Sequence, residues 1–229
     1  MFVNGYGSLI LAGTWVTIEL SVMSLLVAFC IGLLGAGGKV SSNPLARAIA
    51  TLYTTLIRGV PDLVLMLLIF YSLQIGLNQI TEALHMNQID LDPMTSGVVT
   101  LGFIYGAYFA ETFRGAFLSV PHGQIEAGTA YGLSGWQVFY RIQFPQMMRF
   151  ALPGIANNWQ VMLKATALVS IIGLADVVKV SLDAGKSSYR VFFFTLVAGL
   201  VYLALTTVSN FALMWLERHY DIGVREAEL

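Results

Sequence analysis

Two charged residues interrupt long apolar runs: Glu19 in GTWVTIELSV and Lys164 in NNWQVMLKATA. A charge at the centre of a bilayer costs about 2.5–3.5 kcal/mol on insertion scales, so each should face protein or a water-filled path. Glu19 suits either of two roles: meeting a cationic group that passes along such a path, or reaching the outer interface. Lys164 either pairs with a carboxylate or backbone carbonyls at a helix–helix interface, or contacts a passing carboxylate. Asn157 and Gln160 precede it on the same helical face, so the three form a polar stripe that could line a path between subunits, with Asn158 to one side. Two other groupings have structural spacing. Glu111 and Arg114 are three residues apart and can pair on one helix face. Arg58 and Asp62 are four apart around Pro61 and read as a brace at the start of a helix.

No grouping predicts covalent chemistry. His85, His122 and His219 are far apart, and no Ser-His-Asp, Cys-His or metal-ligand spacing is visible. The expectation is therefore a chain with no catalytic residues, no metal and no cofactor of its own. GLLGAGGK (32–39) resembles a phosphate loop superficially. It fails at Leu33 and Val40, and the dinucleotide pattern fails at Val40 too. Its glycines suit close helix packing where a span meets the interface. The single cysteine, Cys30, cannot pair within the chain and is expected to be a small buried hydrophobe.

Apolar runs position these residues. Of 229 residues, 57% are hydrophobic and 11% charged, with a net charge of −1, which excludes an ordinary soluble domain and a nucleic-acid-binding surface. A bilayer core needs roughly 20 helical residues. Five runs qualify, at about 11–35, 60–80, 96–117, 150–173 and 191–216. No basic region precedes the first, so it is expected to be a retained span rather than a signal peptide. One set of loops and ends holds eight Lys and Arg: Lys39, Arg47, Arg58, Arg114, Arg141, Arg149, Arg218 and Arg225. The other holds three, Lys179, Lys186 and Arg190. The richer side is cytoplasmic by the positive-inside rule, which places the N-terminus outside and the C-terminus inside.

The longest inner connection, about 118–149, contains IEAGTAYGLSGWQVFYRIQFP. Pro121 can open a helix. Gly132 can end it in the left-handed conformation. Ser134 and Gln137 have capping-box spacing, and a second short helix is expected to end at Pro145. The product is a helix–turn–helix elbow with more apolar residues, among them Tyr131 and Trp136, than an isolated surface hairpin would carry.

The spacing E-A-G-x3-G-x9-I-x-F-P, from Glu126 to Pro145, resembles the EAA loop of ATP-binding-cassette importer permeases, E-A-A-x3-G-x9-I-x-L-P. Gly128 and Phe144 are mild departures. YTTLIRGVPDLVLMLLIFY (53–71), GAYFAETFRGAFLSVPHGQIEAG (106–128) and ALPGIANNWQVMLKATALVSIIGLADVV (151–178) resemble segments of bacterial polar amino-acid permeases, most nearly the Q-type subunits of histidine, lysine, arginine and ornithine importers. The resemblance covers nearly the whole chain.

It implies an all-α integral membrane protein with five transmembrane helices. The fold would be the type I importer permease (MetI-like) fold in one domain over 1–229, its core about 10–217 and its coupling loop about 119–146. It also implies partners in the bacterial inner membrane: a related M-type permease, two ATP-binding subunits that carry ATP and Mg, a periplasmic amino-acid-binding protein, and surrounding lipid. Glu126, Ala127, Gly128, Gly132, Ile142 and Pro145 would couple to the ATPase. Glu126 would make a charged contact in the ATPase groove or cap its own helix; Ala127 and Gly132 would allow close approach; Ile142 and Pro145 would anchor the second helix. Two alternatives compete. An ATP-independent transporter or channel would need no elbow and often carries an inverted repeat, and none is visible. A non-transporting scaffold would leave the polar residues inside spans one and four without a purpose.

Overall fold

The computed structural model describes residues 5–220; Arg225, counted above, lies outside them. The architecture is all-helical. Helix α1 runs Gly7–Val40, α2 Pro44–Gly59, α3 Asp62–Ala83 and α4 Pro93–Leu118. The elbow follows as α5 (His122–Ala130) and α6 (Gly135–Val138). A π-helical turn, Phe139–Gln143, leads into α7 (Phe144–Ala165) and a 3-10 segment, Thr166–Ile172. Helices α8 (Val177–Ser188) and α9 (Val191–Tyr220) complete the described chain.

The core is a seam between α1 and α4. Contacts advance in step along both helices: Leu20 meets Gly97, Val27 meets Gly102, Ile31 meets Gly106, and Gly32 meets Phe109. The two helices are therefore parallel and cross the same thickness. Small residues let them approach, which is how helices associate where lipid provides no hydrophobic drive. A Cβ at Gly32 would stand 2.6 Å from the Phe109 Cβ, and one at Gly35 2.8 Å from the Ala110 Cβ, so these glycines of the false phosphate loop serve packing, whereas Gly37 has open space around it. Leu20, Ala28, Leu101, Ile104 and Phe109 are fully buried here. Cys30 is not: it faces outward on α1, contrary to the expectation of burial.

By length and composition, α1, α3 and α9 can each cross a membrane, and the α6–α7–α8 region adds a fourth candidate bent by 53°. Helix α4 falls outside that set because glycines, threonines and tyrosines dilute its apolarity. It can be less apolar because its neighbours, not lipid, cover most of it.

The second expected span, 60–80, coincides with α3, and a further helix precedes it. Helix α2, unforeseen in the sequence, is strongly amphipathic and opens with Asn43 capping Leu45 N–H at 2.9 Å and Pro44 in its first turn. It packs on both α1 and α4: Ala50 lies under Gly38, and the Tyr53 hydroxyl donates to the Phe103 carbonyl. Val60–Pro61 interrupts the helix, and α3 resumes at Asp62. The break thus lies beside the middle of α4, and the apolar run at 60–80 is only the later part of this limb.

Pro145 does not end a helix. A proline ring collides with the carbonyl four residues earlier, but the preceding turn is π-wide, with Phe144 N–H bonded to the Phe139 carbonyl. The helix runs on through Pro145 to Ala165, then tightens and stops at Gly173, whose φ is +103°. Beyond it, Asp176 caps α8 by accepting from Lys179 N–H at 2.9 Å. A helix thus stands where the sequence predicts a loop.

Candidate functional site

The elbow is built by local chemistry. Gly132, at φ +80°, closes α5 in the left-handed region, with Leu133 N–H reaching back to the Gly128 carbonyl at 3.2 Å. The capping box forms as expected: Gln137 Oε1 accepts from Ser134 N–H at 2.9 Å, and Ser134 Oγ accepts from Gln137 N–H at 3.4 Å. The two arms meet at Gly128 and Ile142. A Cβ at Gly128 would stand 2.6 Å from Ile142 Cδ1, so the two arms approach closely at Gly128, while Gly132 has open space around it. An alanine at 128 would displace only the end of a flexible side chain, which explains why glycine for alanine is a mild departure.

Glu126 and Ala127 are exposed on α5. No described side chain or amide pairs with Glu126, and α5 has no acidic residue in its first turn, so Glu126 does not cap its own helix. Tyr131 is 89% exposed and Trp136 73%. Trp136 stacks on Phe139 and Tyr140 at centroid distances of 5.8 and 6.5 Å. The elbow thus presents one carboxylate and a stacked aromatic surface that this chain leaves uncovered. Ile142 packs inward, while Pro145 is exposed at the start of α7.

Above the elbow, Lys39 of α1 forms an ion pair with Glu111 of α4 and donates to Thr54 of α2 at 2.7 Å. Arg114 also approaches Glu111, at 3.6 Å, but from a more exposed position. The i,i+3 spacing was legible in the sequence. Lys39, 72 residues upstream, was not, and it converts a surface pair into a clasp across three helices.

Arg58 and Asp62 require correction. They form no ion pair with each other. Asp62 accepts from the Tyr105 hydroxyl at 2.8 Å, while the Arg58 guanidinium lies 5.4 Å from the centroid of the Tyr108 ring. The helix break at Pro61 turns both side chains toward α4.

The polar stripe on α7 holds its register. Asn157 and Lys164 are exposed and Gln160 half-buried, whereas Asn158 turns inward and donates to Thr112 of α4 at 3.0 Å. Gln160 donates to Asn210 of α9 at 2.9 Å. Lys164 borders a cleft of about 300 Å³ between α7, α8 and α9, lined by Tyr202, Ser181, Thr195 and apolar residues. Glu19 is exposed on α1 and has no ion-pair partner among the described residues.

Long apolar helices packed on a small-residue seam define a multi-pass helical membrane protein. The chain belongs to the family of binding-protein-dependent transport system inner membrane components, whose signature spans residues 28–222. It is 62% identical over 225 residues to the histidine/lysine/arginine/ornithine transport system permease protein HisQ of Escherichia coli (strain K12), covering 98% of this chain and 99% of that one. It is 34% identical to the nopaline transport system permease protein NocQ of Agrobacterium fabrum, over 96% and 94% of the two chains. A crystal structure of an amino acid ABC transporter with histidines matches with a TM-score of 0.80 and 29% identity, covering 96% of this chain and 98% of that one. The MetNI methionine ABC transporter, in inward-facing conformations, matches with a TM-score of 0.70 at 18% identity, over 93% and 96% of the chains, and shares the fold. The all-helical ABC permease fold expected from the sequence is therefore the fold observed.

Proposed function

We propose that this chain is the Q-type permease of a bacterial inner-membrane importer for histidine, with lysine, arginine and ornithine as further substrates. The observation that carries this reading is the near-full-length identity of 62% to a permease so named. The chain performs no catalysis. It pairs with a related M-type permease, two ATP-binding subunits that hold ATP and Mg, and a periplasmic binding protein. Five traverses, with α4 as the third, would put the termini on opposite sides, and in this reading the N-terminus is periplasmic and the C-terminus and elbow cytoplasmic. The excess of Lys and Arg on the elbow side supports this orientation.

The elbow transmits motion. Its uncovered face, Glu126 with Tyr131 and Trp136, fits a groove on the ATP-binding subunit. Because the π turn fuses α6 to α7, displacement of the elbow moves α7 and its stripe as one body. Glu19, Asn157, Gln160 and Lys164 are candidates for lining the path between the two permeases. Gentle purification of the tagged chain from native membranes should recover a second permease and an ATPase in a ratio of about 1:1:2, the order expected for one pair of permeases on an ATPase dimer. Recovery of the chain alone, moving histidine in ATP-free vesicles, would overturn the proposal.

A further inference from the structure

The turn between α8 and α9 carries a tyrosine where the backbone favours glycine. Tyr189 has φ +57°, and the turn closes as a Schellman motif, with Arg190 N–H on the Gly185 carbonyl at 2.9 Å and Tyr189 N–H on the Lys186 carbonyl at 3.4 Å. A Cβ disfavours this left-handed conformation, so a turn built for stability alone would hold glycine. The tyrosine side chain is 95% exposed, so packing within the described chain does not offset that strain. The hairpin that displays it is firm. Gly185 lets the chain double back, since a Cβ there would stand 2.8 Å from Val191 Cα, and Phe194 is fully buried, edge-on to Tyr6 at 5.4 Å.

Charge and hydropathy indicate what lies outside. Lys186 and Arg190 flank Tyr189, both exposed, and neither has a carboxylate partner among the described residues; Asp183 is taken by Lys179 at 3.3 Å. From Val191 to Leu216, α9 has no charged residue, and Phe192, Leu196, Leu200, Leu203, Phe211 and Trp215 stand exposed along it. Phe192 and Trp215 are about 35 Å apart at a rise of 1.5 Å per residue, which puts one ring near each edge of a hydrocarbon core about 30 Å thick. Aromatic rings at both edges of an uncharged stripe mark a helix face against lipid. Helix α9 runs antiparallel to α7, with Gln160 bonded to Asn210 and Glu217 lining one pocket with Arg149, so Tyr189 lies at the membrane surface remote from the elbow.

We infer that Lys186, Tyr189 and Arg190 form a binding site for an anionic phospholipid, the two cations taking its phosphate, Tyr189 lying among the headgroups and the α9 stripe carrying the acyl chains. The Arg190 guanidinium offers a phosphate two parallel N–H bonds, and Lys186 adds a point charge. Lipid held here fixes the depth of the α8–α9 hairpin in the bilayer. The site depends on neither substrate nor subunit partners; only its leaflet, the periplasmic one, rests on the orientation proposed above.

The test places p-benzoylphenylalanine at position 189 in the complete complex, in native membranes with the binding protein present. Adducts with phospholipid support the site; adducts confined to the binding protein or to a second permease overturn it. Native mass spectrometry of the complex, taken from mixed phosphatidylcholine and phosphatidylglycerol nanodiscs, then reads selectivity. The wild-type complex should retain phosphatidylglycerol in preference, and Lys186→Gln and Arg190→Gln should each reduce that preference about fivefold, the worth of one basic residue near an anionic surface. Equal retention of the two lipids by wild type, or an unchanged preference in the double variant, would overturn the assignment. Tyr189→Gly separates binding from folding. It relieves the left-handed residue, so thermal stability in detergent should hold or rise while phosphatidylglycerol retention falls. Lower stability with retention unchanged would show that Tyr189 serves the hairpin instead. Ser187→Cys in a Cys30→Ser chain, labelled by a membrane-impermeant maleimide from the periplasm, checks the leaflet; labelling from the cytoplasm would overturn the orientation and leave the lipid site standing.

Discussion

The elbow and the α1–α4 seam reach definite structures by opposite means. The elbow is held by contacts between residues a few positions apart: the Ser134–Gln137 capping box, left-handed Gly132, and Gly128 against Ile142. Most of its aromatic surface stays open. The seam joins residues some 75 positions apart, closes nearly all of its surface, and is locked at the elbow end by Lys39, Glu111 and Thr54. A lever must keep its own shape while its partner face stays free; a pivot must resist separation. Damage to the elbow should therefore impair transmission with the fold intact, whereas damage to the seam should impair the fold itself.

The largest expected effect is on the clasp. Lys39→Met leaves Glu111 with the more exposed Arg114 as its remaining charged partner, and breaking a buried pair costs about 3–5 kcal/mol. Because Glu111 retains some solvent, the lower end of that range is expected, read as loss of thermal stability in detergent. Glu111→Gln should cost a similar amount, and the double variant less than the sum of the two. Additive losses would show that the clasp is not a coupled unit.

Gly102→Val comes next. Its Cβ would stand 2.5 Å from Val27 Cγ1 and 2.7 Å from Val27 Cβ, forcing the helices apart at about 1–3 kcal/mol. Lower yield of folded complex and faster proteolysis should follow. A variant as stable as wild type would refute the tight seam.

Gly132→Val sharpens the contrast from the other side. A β-branched residue at φ +80° costs about 1–2 kcal/mol, spent locally where no neighbour is displaced. Thermal stability of the complex should barely change, while histidine uptake per ATP hydrolysed falls. Gly132→Asn should retain uptake, since asparagine tolerates the left-handed region. Normal uptake by the valine variant would remove Gly132 from the lever.

The smallest effect tests a local cap at the far end of the seam. Asp92 accepts from Thr95 N–H and from its hydroxyl, both at 2.9 Å, and these bonds hold its carboxyl below the usual value of 3.8. A depressed folded value means the cap contributes fully above the unfolded value and is lost as pH falls through the lower, folded one. The protection factor of the Thr95 amide, taken against the intrinsic exchange rate at each pH, should therefore be high at pH 5 and fall in stronger acid. In Asp92→Ala it should be low at both.

What could be read in advance divides along the same line. The elbow's turn, cap and left-handed glycine were legible because Gly, Ser and Gln act on backbone groups within a few residues. The register of Asn157, Gln160 and Lys164, with Asn158 to one side, followed from the helical period alone. The brace between Arg58 and Asp62 was not correct, because spacing reveals which groups can meet but not which neighbours compete; Tyr105 and Tyr108 won. Pro145 misled for a related reason: its clash is relieved by a π turn that no residue type in FYRIQ announces. Helix α8 was missed because its Asp176 cap follows a break in a span, where charged residues read as loop.

The membrane class, the approximate apolar runs and the elbow are all readable from the chain alone, since hydropathy and capping are properties of short segments. Tertiary structure alone decided that Lys39 meets Glu111, that α2 and α3 form a limb broken at mid-depth, and that Arg58 and Asp62 stand apart on a tyrosine pair. Each of these depends on which faces of distant helices come together. Once water is gone, that choice is made by the fit of small residues and the pairing of charges across the seam, and neither is written in any single stretch of the chain.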